Sequence, residues 1–529
     1  MKNDNGCLPL AKEERNVTLF GRNSAHLCLR SGAGGAAPNE KLVVHLNNAF
    51  ENNGFNYNKT IWNMYTGGGE PSETSIPEVA VSAYTPGIKA SFDTFGDAAI
   101  VTFVRVGTEN SDPKAGILDL QENEANLLKM IKESGKFKKT IVLLNGAMPM
   151  SLDWTNKEEY GVDAVLWFGV PGYYSLDGVV HILTGEANPS GHTPDTFSAH
   201  ASNSAAYQNF GDINFDGSAG VDRSNKYVSY AEGIYVGYKY YETRYFDTVV
   251  NPSSNASSSK GAKEGATSWV YNDEVSYTFG YGESYTTFEQ TLKSIDFNTR
   301  DKVVTAVVEV KNTGSVAGKD AIELYVSLPR KNNDKLEKAA IQLLDYQKTT
   351  MIEPKDTKQF VITADLSDAT SYDNKLEHDG VTGGYVLAEG DYYFAVGNGA
   401  HEAVNNVLAK MGKTTADGMD VNGNANNAIV KNYGSSNSSL FGRSKGGKVL
   451  IQNQLDNADL NYYQPGAVTY LSRNDWAATY PTRQVVTPNA DMIKELRNKK
   501  HVIQKNDKVD TVWGSKKTSY TLADMKGAE

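Results

Sequence analysis

The sequence predicts an α/β sandwich, a mostly parallel sheet covered by helices, followed by an all-β sandwich and an irregular C-terminal segment. Three observations carry this. In the first third, short continuous apolar runs alternate with helical spacings, the pattern of strands buried on both faces. From about Thr291 to Leu408 the apolar period becomes two, the pattern of strands with one buried face. After Lys410 polar residues dominate and no period is sustained. At roughly 150 residues per domain, 529 residues suggest about three domains rather than one core. The expected division is 1–200 for the α/β sandwich, 201–288 for a linking segment and 289–410 for the β-sandwich. Residues 411–529 are left as an extended linker.

The first strand is expected at Asn16–Arg22, followed by a small-residue loop from Ser31 to Ala37. Leu42, Val43, Leu46 and Phe50 have helical spacing. Asp97–Gly107 reads as a second buried strand. Leu120, Glu124, Leu127, Leu128 and Ile131 mark a helix that Gly135 stops. Lys139–Gly146 and Asp163–Gly169 are a third and a fourth strand, and Leu176, Val179, Val180 and Leu183 line another helix. Residues 227–288 are rich in aromatics and glycine, interrupted by the serine-rich stretch Asn251–Gly265, which predicts a flexible insertion. In the β region Val304, Ala306, Val308 and Val310 share one face. Strands recur at Glu323–Ser327, Gln359–Thr363 and Asp391–Val396, with turns at Asn312–Gly314 and Glu353–Asp356. Asn489–Lys499 is a helix candidate in a tail expected to pack along something else.

Composition narrows the function. Hydrophobic residues are 40% and charged residues 22%, so wholesale disorder is excluded. With 52 Lys plus Arg against 63 Asp plus Glu, the formal charge is −11, which disfavours nucleic acid and anionic membrane partners. Cys7 and Cys28 make no disulfide framework and no Cys-x-x-Cys pair. They read as reduced thiols, with their mutual pairing left open. The start, Met1–Asn5, has no apolar signal-peptide region, and the longest apolar runs are too short for a bilayer, so a cytoplasmic location is expected. His181, His192 and His200 lack paired metal-ligand spacing, and no Gly-x-Ser-x-Gly elbow occurs. Ser31-Gly-Ala-Gly-Gly-Ala36 lacks the Gly-Lys-Ser/Thr of a phosphate-binding loop. Trp154 and Trp167 lie in or beside buried strand signals, where core packing is expected.

Four phrases in order resemble the family 3 glycoside hydrolases, a group of β-glucosidases. They are Asn188-Pro-Ser-Gly-His-Thr-Pro-Asp-Thr-Phe197, Glu232-Gly-Ile-Tyr-Val-Gly-Tyr-Lys-Tyr-Tyr241, Tyr277-Thr-Phe-Gly-Tyr-Gly-Glu-Ser-Tyr-Thr-Thr-Phe288, and Val308-Glu-Val-Lys-Asn-Thr-Gly314 with Ala317-Gly318. Glu283 stands where the family usually has leucine. The resemblance implies that the all-β sandwich is fibronectin type III-like. It also implies a (β/α) barrel carrying the catalytic aspartate in a Ser-Asp-Trp-like phrase, and this sequence shows no run of eight strand–helix units. Asn474-Asp-Trp476 is only superficially similar and reads as linker. The resemblance therefore suggests the inverted domain order, with this chain stopping where a barrel would begin and starting inside a family phrase.

Retaining glycoside hydrolysis needs two carboxyl groups, one nucleophilic and one acting as acid and then base. The family's acid/base phrase, Arg-x-x-Gly-Glu-x-x-Asp, is similar to Arg105-Val-Gly-Thr-Glu-Asn-Ser-Asp112. Glu109 is thereby the expected acid/base residue, although Thr108 replaces the glycine, with Gly107 one place early. It falls at the carboxyl end of a strand, where open α/β sheets place ligand groups. Arg105, Asp112, Ser31 and Gly32 are the expected substrate contacts, with Asp112 also readable as a turn former before Pro113 and Glu122 and Glu124 as N-terminal helix charges. No metal and no other cofactor is implied. The implied partners are a β-glucoside or oligosaccharide and a barrel on the same or another chain. Homo-oligomer formation stays open. The rival readings are a non-catalytic carbohydrate-binding or scaffold module, and β-xylosidase or β-N-acetylglucosaminidase specificity.

Overall fold

In the computed structural model, residues 1–30, 42–69, 76–105, 107, 116–216, 226–331 and 334–497 are described. Six strands form the first sheet: β1 (Lys2–Asn3), β2 (Asn16–Phe20), β3 (Asn56–Tyr57), β4 (Ala98–Val104), β5 (Thr140–Asn145) and β6 (Ala164–Gly169). Their order is β1-β6-β5-β4-β2-β3. Only β1 runs antiparallel, on the β6 edge. Every residue of β4 and β5 is buried. Successive side chains point to opposite faces, so both faces of the sheet are covered. The covering helices are α1 (Leu46–Asn52), α2 (Lys59–Thr66), the short α3 (Pro86–Lys89), α4 (Glu122–Ser134) and α5 (Leu176–Thr184). The parallel sheet is thus as expected. The first helix is shorter than its apolar spacing suggests: Leu42 is exposed, and the Val44 N–H bonds to the Tyr173 carbonyl instead of starting a helix. Cys7 and Cys28 are both buried free thiols, and burial pushes the Cys7 pKa up to about 12.

Around the linking segment lie two small antiparallel strand pairs, β7 (Phe197–Ser198) with β10 (Val275–Tyr277) and β8 (Ile213–Asn214) with β9 (Lys226–Tyr227). It also contains α6 (Tyr238–Val250) and the one-turn α7 (Tyr271–Glu274). The serine-rich stretch expected to be a flexible insertion is folded against α6. Arg244, fully buried, donates to the carbonyls of Ala256 (2.8 Å) and Ser258 (2.9 Å) and lies 4.8 Å from the Trp269 ring centroid. Carbonyl dipoles and an aromatic face thus solvate this guanidinium.

The β region packs two antiparallel sheets. One is β11 (Phe288–Asn298), β12 (Val303–Asn312) and β15 (Thr357–Asp365). The other has β13 (Ala321–Ser327) at its centre, with β14 (Gln342–Lys348), β18 (Gly390–Gly397) and β19 (Val430–Ser435). Val304, Ala306, Val308 and Val310 all face the core between them, as the period of two requires. All of β13 is buried because its faces serve two cores: Ile322, Leu324 and Val326 point between the sheets, and Tyr325 points outward onto α6 and α8 (Ala400–Lys410). A third sheet, β16 (Ser371–His378), β17 (Val381–Leu387) and β20 (Ser439–Phe441), flanks the sandwich. Residues 411–441, read as part of a linker, therefore supply β19 and β20. The rest of the described tail carries α9 (Leu460–Tyr463), α10 (Trp476–Thr479) and α11 (Ala490–Arg497), close to the expected helix. Val486 and Met492 share a small core with Ile213, Phe215 and Tyr227. Among the described residues no helix is long and apolar enough to cross a membrane.

His401 ties α8 to α6. Its Nδ1 lies 2.8 Å from Glu242 and its Nε2 3.2 Å from Asp420, and its ring stacks on Tyr271 at 3.9 Å. Burial alone would lower its pKa, but attraction from Glu242 and hydrogen bonds to Asp420 and Glu242 raise it to about 9. A raised folded-state pKa stabilises the fold fully below the ordinary value near 6.5, and that part is lost as pH rises through about 9. The stability advantage of the wild-type chain over His401→Gln, measured by urea denaturation, is expected to shrink between pH 6 and pH 10.

Candidate active site

The carboxyl ends of β2, β4, β5 and β6 open on one edge of the sheet. Ser31, Gly32, Glu109 and Asp112 lie outside the described residues; Arg105 is described. Arg105 directly follows β4 and is 4% exposed. Its Nη1 donates to the Val104 carbonyl (3.0 Å) and Glu124 Oε1 (2.9 Å), and its Nη2 to the Asp119 carbonyl (2.8 Å) and Glu124 Oε2 (2.7 Å). Glu124 also accepts from the Gln121 N–H, closing a capping box at the start of α4. Glu124 is thus more than a charge at a helix start. The four Nη hydrogens of Arg105 are all engaged, so those groups are not available to a substrate hydroxyl. The pair instead joins the end of β4 to the start of α4, the two stems of the segment from 106 to 115.

Three residues not foreseen from sequence complete this edge. Asn145, the last residue of β5, exchanges hydrogen bonds with the Cys28 backbone (2.6 and 3.0 Å) and donates to the Gly169 carbonyl (2.7 Å). One amide therefore joins the segments leaving β2, β5 and β6. Gly146 follows at φ +136°, and a Cβ there would lie 2.1 Å from the Arg105 carbonyl oxygen. Only glycine lets the exits of β4 and β5 approach so closely. Glu78 accepts from the backbone N–H of Arg22 (2.6 Å) and Val79 (2.9 Å). Burial raises its pKa to about 7 against those hydrogen bonds, with Glu124 adding repulsion. This folded-state pKa is also raised, so its contribution is fully present below about 4.5 and lost as pH climbs through about 7. The stability of wild type relative to Glu78→Gln is expected to fall between pH 5 and pH 8 in urea titrations.

Beside the stem of the 106–115 segment lies a cleft of about 360 Å³. Leu118 and Asp119 form one wall, Ser202, Tyr207 and Phe210 the other. Tyr207 and Phe210 are 36% and 51% exposed, enough to offer ring faces to a ligand. Among the described residues no three His, Cys, Asp or Glu side chains, His181, His192 and His200 included, converge to hold an ion. Trp154 is buried, as expected, with its N–H on the Ser151 carbonyl. Trp167 is half-buried against Phe197, with its N–H on the Gly146 carbonyl.

The family model described as the glycosyl hydrolase family 3 C-terminal domain matches residues 1–238. The likeness to that domain thus spans the first 238 residues of the chain. β-Glucosidase A of Butyrivibrio fibrisolvens is 27% identical over 461 residues, covering 76% of this chain and 48% of the relative. A β-glucosidase of Ruminococcus albus is 30% identical over 312 residues, covering 58% of this chain and 28% of the relative. The chain thus spans about half or less of the length of these curated relatives. Among solved structures, a β-glucosidase from Paenibacillus barengoltzii superposes with a TM-score of 0.62 at 24% identity, covering 83% of this chain and 42% of that one. β-Glucosidase 3B of Thermotoga neapolitana, in complex with α-D-glucose, gives 0.60 at 22% identity, covering 83% and 53%. These superpositions show that the fold is shared over most of the chain.

Proposed function

We propose that this chain is the part of a retaining family 3 β-glucosidase that supplies the acid/base carboxyl, Glu109. The nucleophile comes from a (β/α) barrel on the same polypeptide's continuation or on a partner. The observation that carries this reading is the Arg105–Glu124 clamp at the carboxyl end of β4, which anchors both stems of the segment containing Glu109. Arg105 is then a positioning residue, and sugar contacts fall to Asp112, Ser31, Gly32 and the cleft bordered by Tyr207 and Phe210. The names of the curated relatives support the β-glucoside as substrate class. The sandwich of β11 to β19 is the family's fibronectin type III-like domain in this reading.

In the first step the carboxylic acid of Glu109 protonates the glycosidic oxygen while the barrel carboxylate bonds to the anomeric carbon and the aglycone departs. In the second, the Glu109 carboxylate takes a proton from water, whose oxygen displaces the enzyme carboxylate. Both steps invert the centre, so configuration is retained. The test is to combine the chain with a separately produced family 3 barrel and assay aryl β-glucoside and aryl β-xyloside. The expected result is hydrolysis that needs both parts, with β-glucose as the first-formed anomer by NMR. No gain on combination overturns the division of labour, and faster xyloside turnover overturns the substrate.

A further inference from the structure

A second cleft, of about 460 Å³, lies between the α/β unit and the β-sandwich. One of its walls is Asn3, which pairs with Ala164 at the start of β6. The cleft is therefore at the amino edge of the parallel sheet, opposite the edge that carries the candidate active site.

Its lining is mixed rather than simply acidic. Asp320, 4% exposed, accepts one hydrogen bond on each oxygen, from Gln290 (2.9 Å) and the Ala321 N–H (2.9 Å), so each keeps a free lone pair. The Nδ1 of His192 lies 2.6 Å from the Gly280 carbonyl and must donate to it, which leaves Nε2 as an acceptor in the neutral ring. Burial favours that neutral form. Glu283 uses one oxygen on the Tyr281 hydroxyl (2.7 Å). Lys319 makes no ion pair among the described residues. Glu402 and Asn398 stand at the start of α8, and Tyr281 and Phe288 supply aromatic surface.

The chemistry selects among ligands. A metal ion finds no convergent set of three ligands among the described residues. A phosphate would meet three carboxylates, and an apolar ligand would strand buried polar groups. A sugar hydroxyl both donates and accepts, so a ring of hydroxyls suits carboxylates interleaved with an ammonium and an amide, while C–H faces suit the aromatics. Glu283 puts a carboxylate where the resembling family usually has leucine, so the feature belongs to this chain.

We propose that this cleft is a second, non-catalytic carbohydrate site for one or two hexose units, with Asp320 and Glu283 accepting from neighbouring sugar hydroxyls and Lys319 donating to them. It does not depend on the catalytic reading. The test titrates the full chain with glucose, cellobiose and, separately, spermidine by calorimetry. Glucose or cellobiose is expected to bind in the millimolar range, and Glu283→Leu and Lys319→Ala, both partly exposed positions, are each expected to weaken binding about tenfold with unchanged urea midpoints. Glu109→Gln is expected to leave this binding intact. Absence of sugar binding overturns the proposal. So does binding that Glu109→Gln removes and Glu283→Leu spares, which would place the sugar at the opposite edge. Spermidine binding tighter than either sugar would make the cleft an amine site and also overturn it.

Discussion

Glu109→Gln, assayed in the barrel-completed enzyme, is expected to lose about 10²–10⁴-fold in kcat/KM on substrates with poor leaving groups. An amide cannot give a proton to the glycosidic oxygen, so an alkoxide would have to depart unaided. A nitrophenolate needs no such help, and for that substrate glycosylation should slow little. The second step then becomes limiting, because no base activates water. Azide needs no base and attacks the glycosyl-enzyme directly, so added azide should speed turnover and give β-glucosyl azide. That signature separates an acid/base role from general damage to the fold. Uniform loss on both substrate types without azide rescue, or no loss, would remove Glu109 from the mechanism.

Arg473→Met is expected to cost about 3–5 kcal/mol of stability. Arg473 donates to both oxygens of Asp247 (2.9 and 2.5 Å) and to the Lys338 carbonyl (2.7 Å), and both charged partners are almost fully buried. Trp476, wholly buried, donates to the same carboxylate at 2.9 Å. Removing the guanidinium leaves a buried carboxylate with one neutral donor. Urea denaturation gives the cost, and hydrogen exchange should show residues 471–480 opening before the rest. The double substitution Arg473→Met with Asp247→Leu should recover part of the loss, because an apolar pair needs no desolvated charge. This docking also explains the phrase Asn474-Asp-Trp476: Asp475 caps α10, accepting from the N–H groups of Ala477 (3.1 Å) and Ala478 (3.0 Å), and Trp476 fills a core.

The parts legible in the sequence are those whose burial leaves a period. β4 and β5 appear as unbroken apolar runs because both faces are covered, and β12 appears as alternation because one face is. Helix α6 escapes for the opposite reason. It is buried on nearly every side, so no polar face marks its period, and its tyrosines and threonines are weak helix formers. Strand β19 escapes because it joins β18 through backbone pairing, while its Lys, Asn, Gly and Ser side chains carry no apolar signal. At the candidate site, the proposal of Glu109 rests on a phrase. The ties among the strand exits are not legible: Asn145 meets Cys28, and Glu78 meets Arg22, across long sequence separations and through backbone groups that any residue possesses.

The clamp between Arg105 and Glu124 carries a consequence for divergence within this fold. With both ends of the intervening segment pinned by side chains outside it, the scaffold does not feel the segment's length directly. The entropy of closing a loop grows only logarithmically, about 0.6 kcal/mol per doubling. Lengthening the chain between these two stems is therefore expected to leave the stability of the sheet beneath nearly unchanged, as urea denaturation would read.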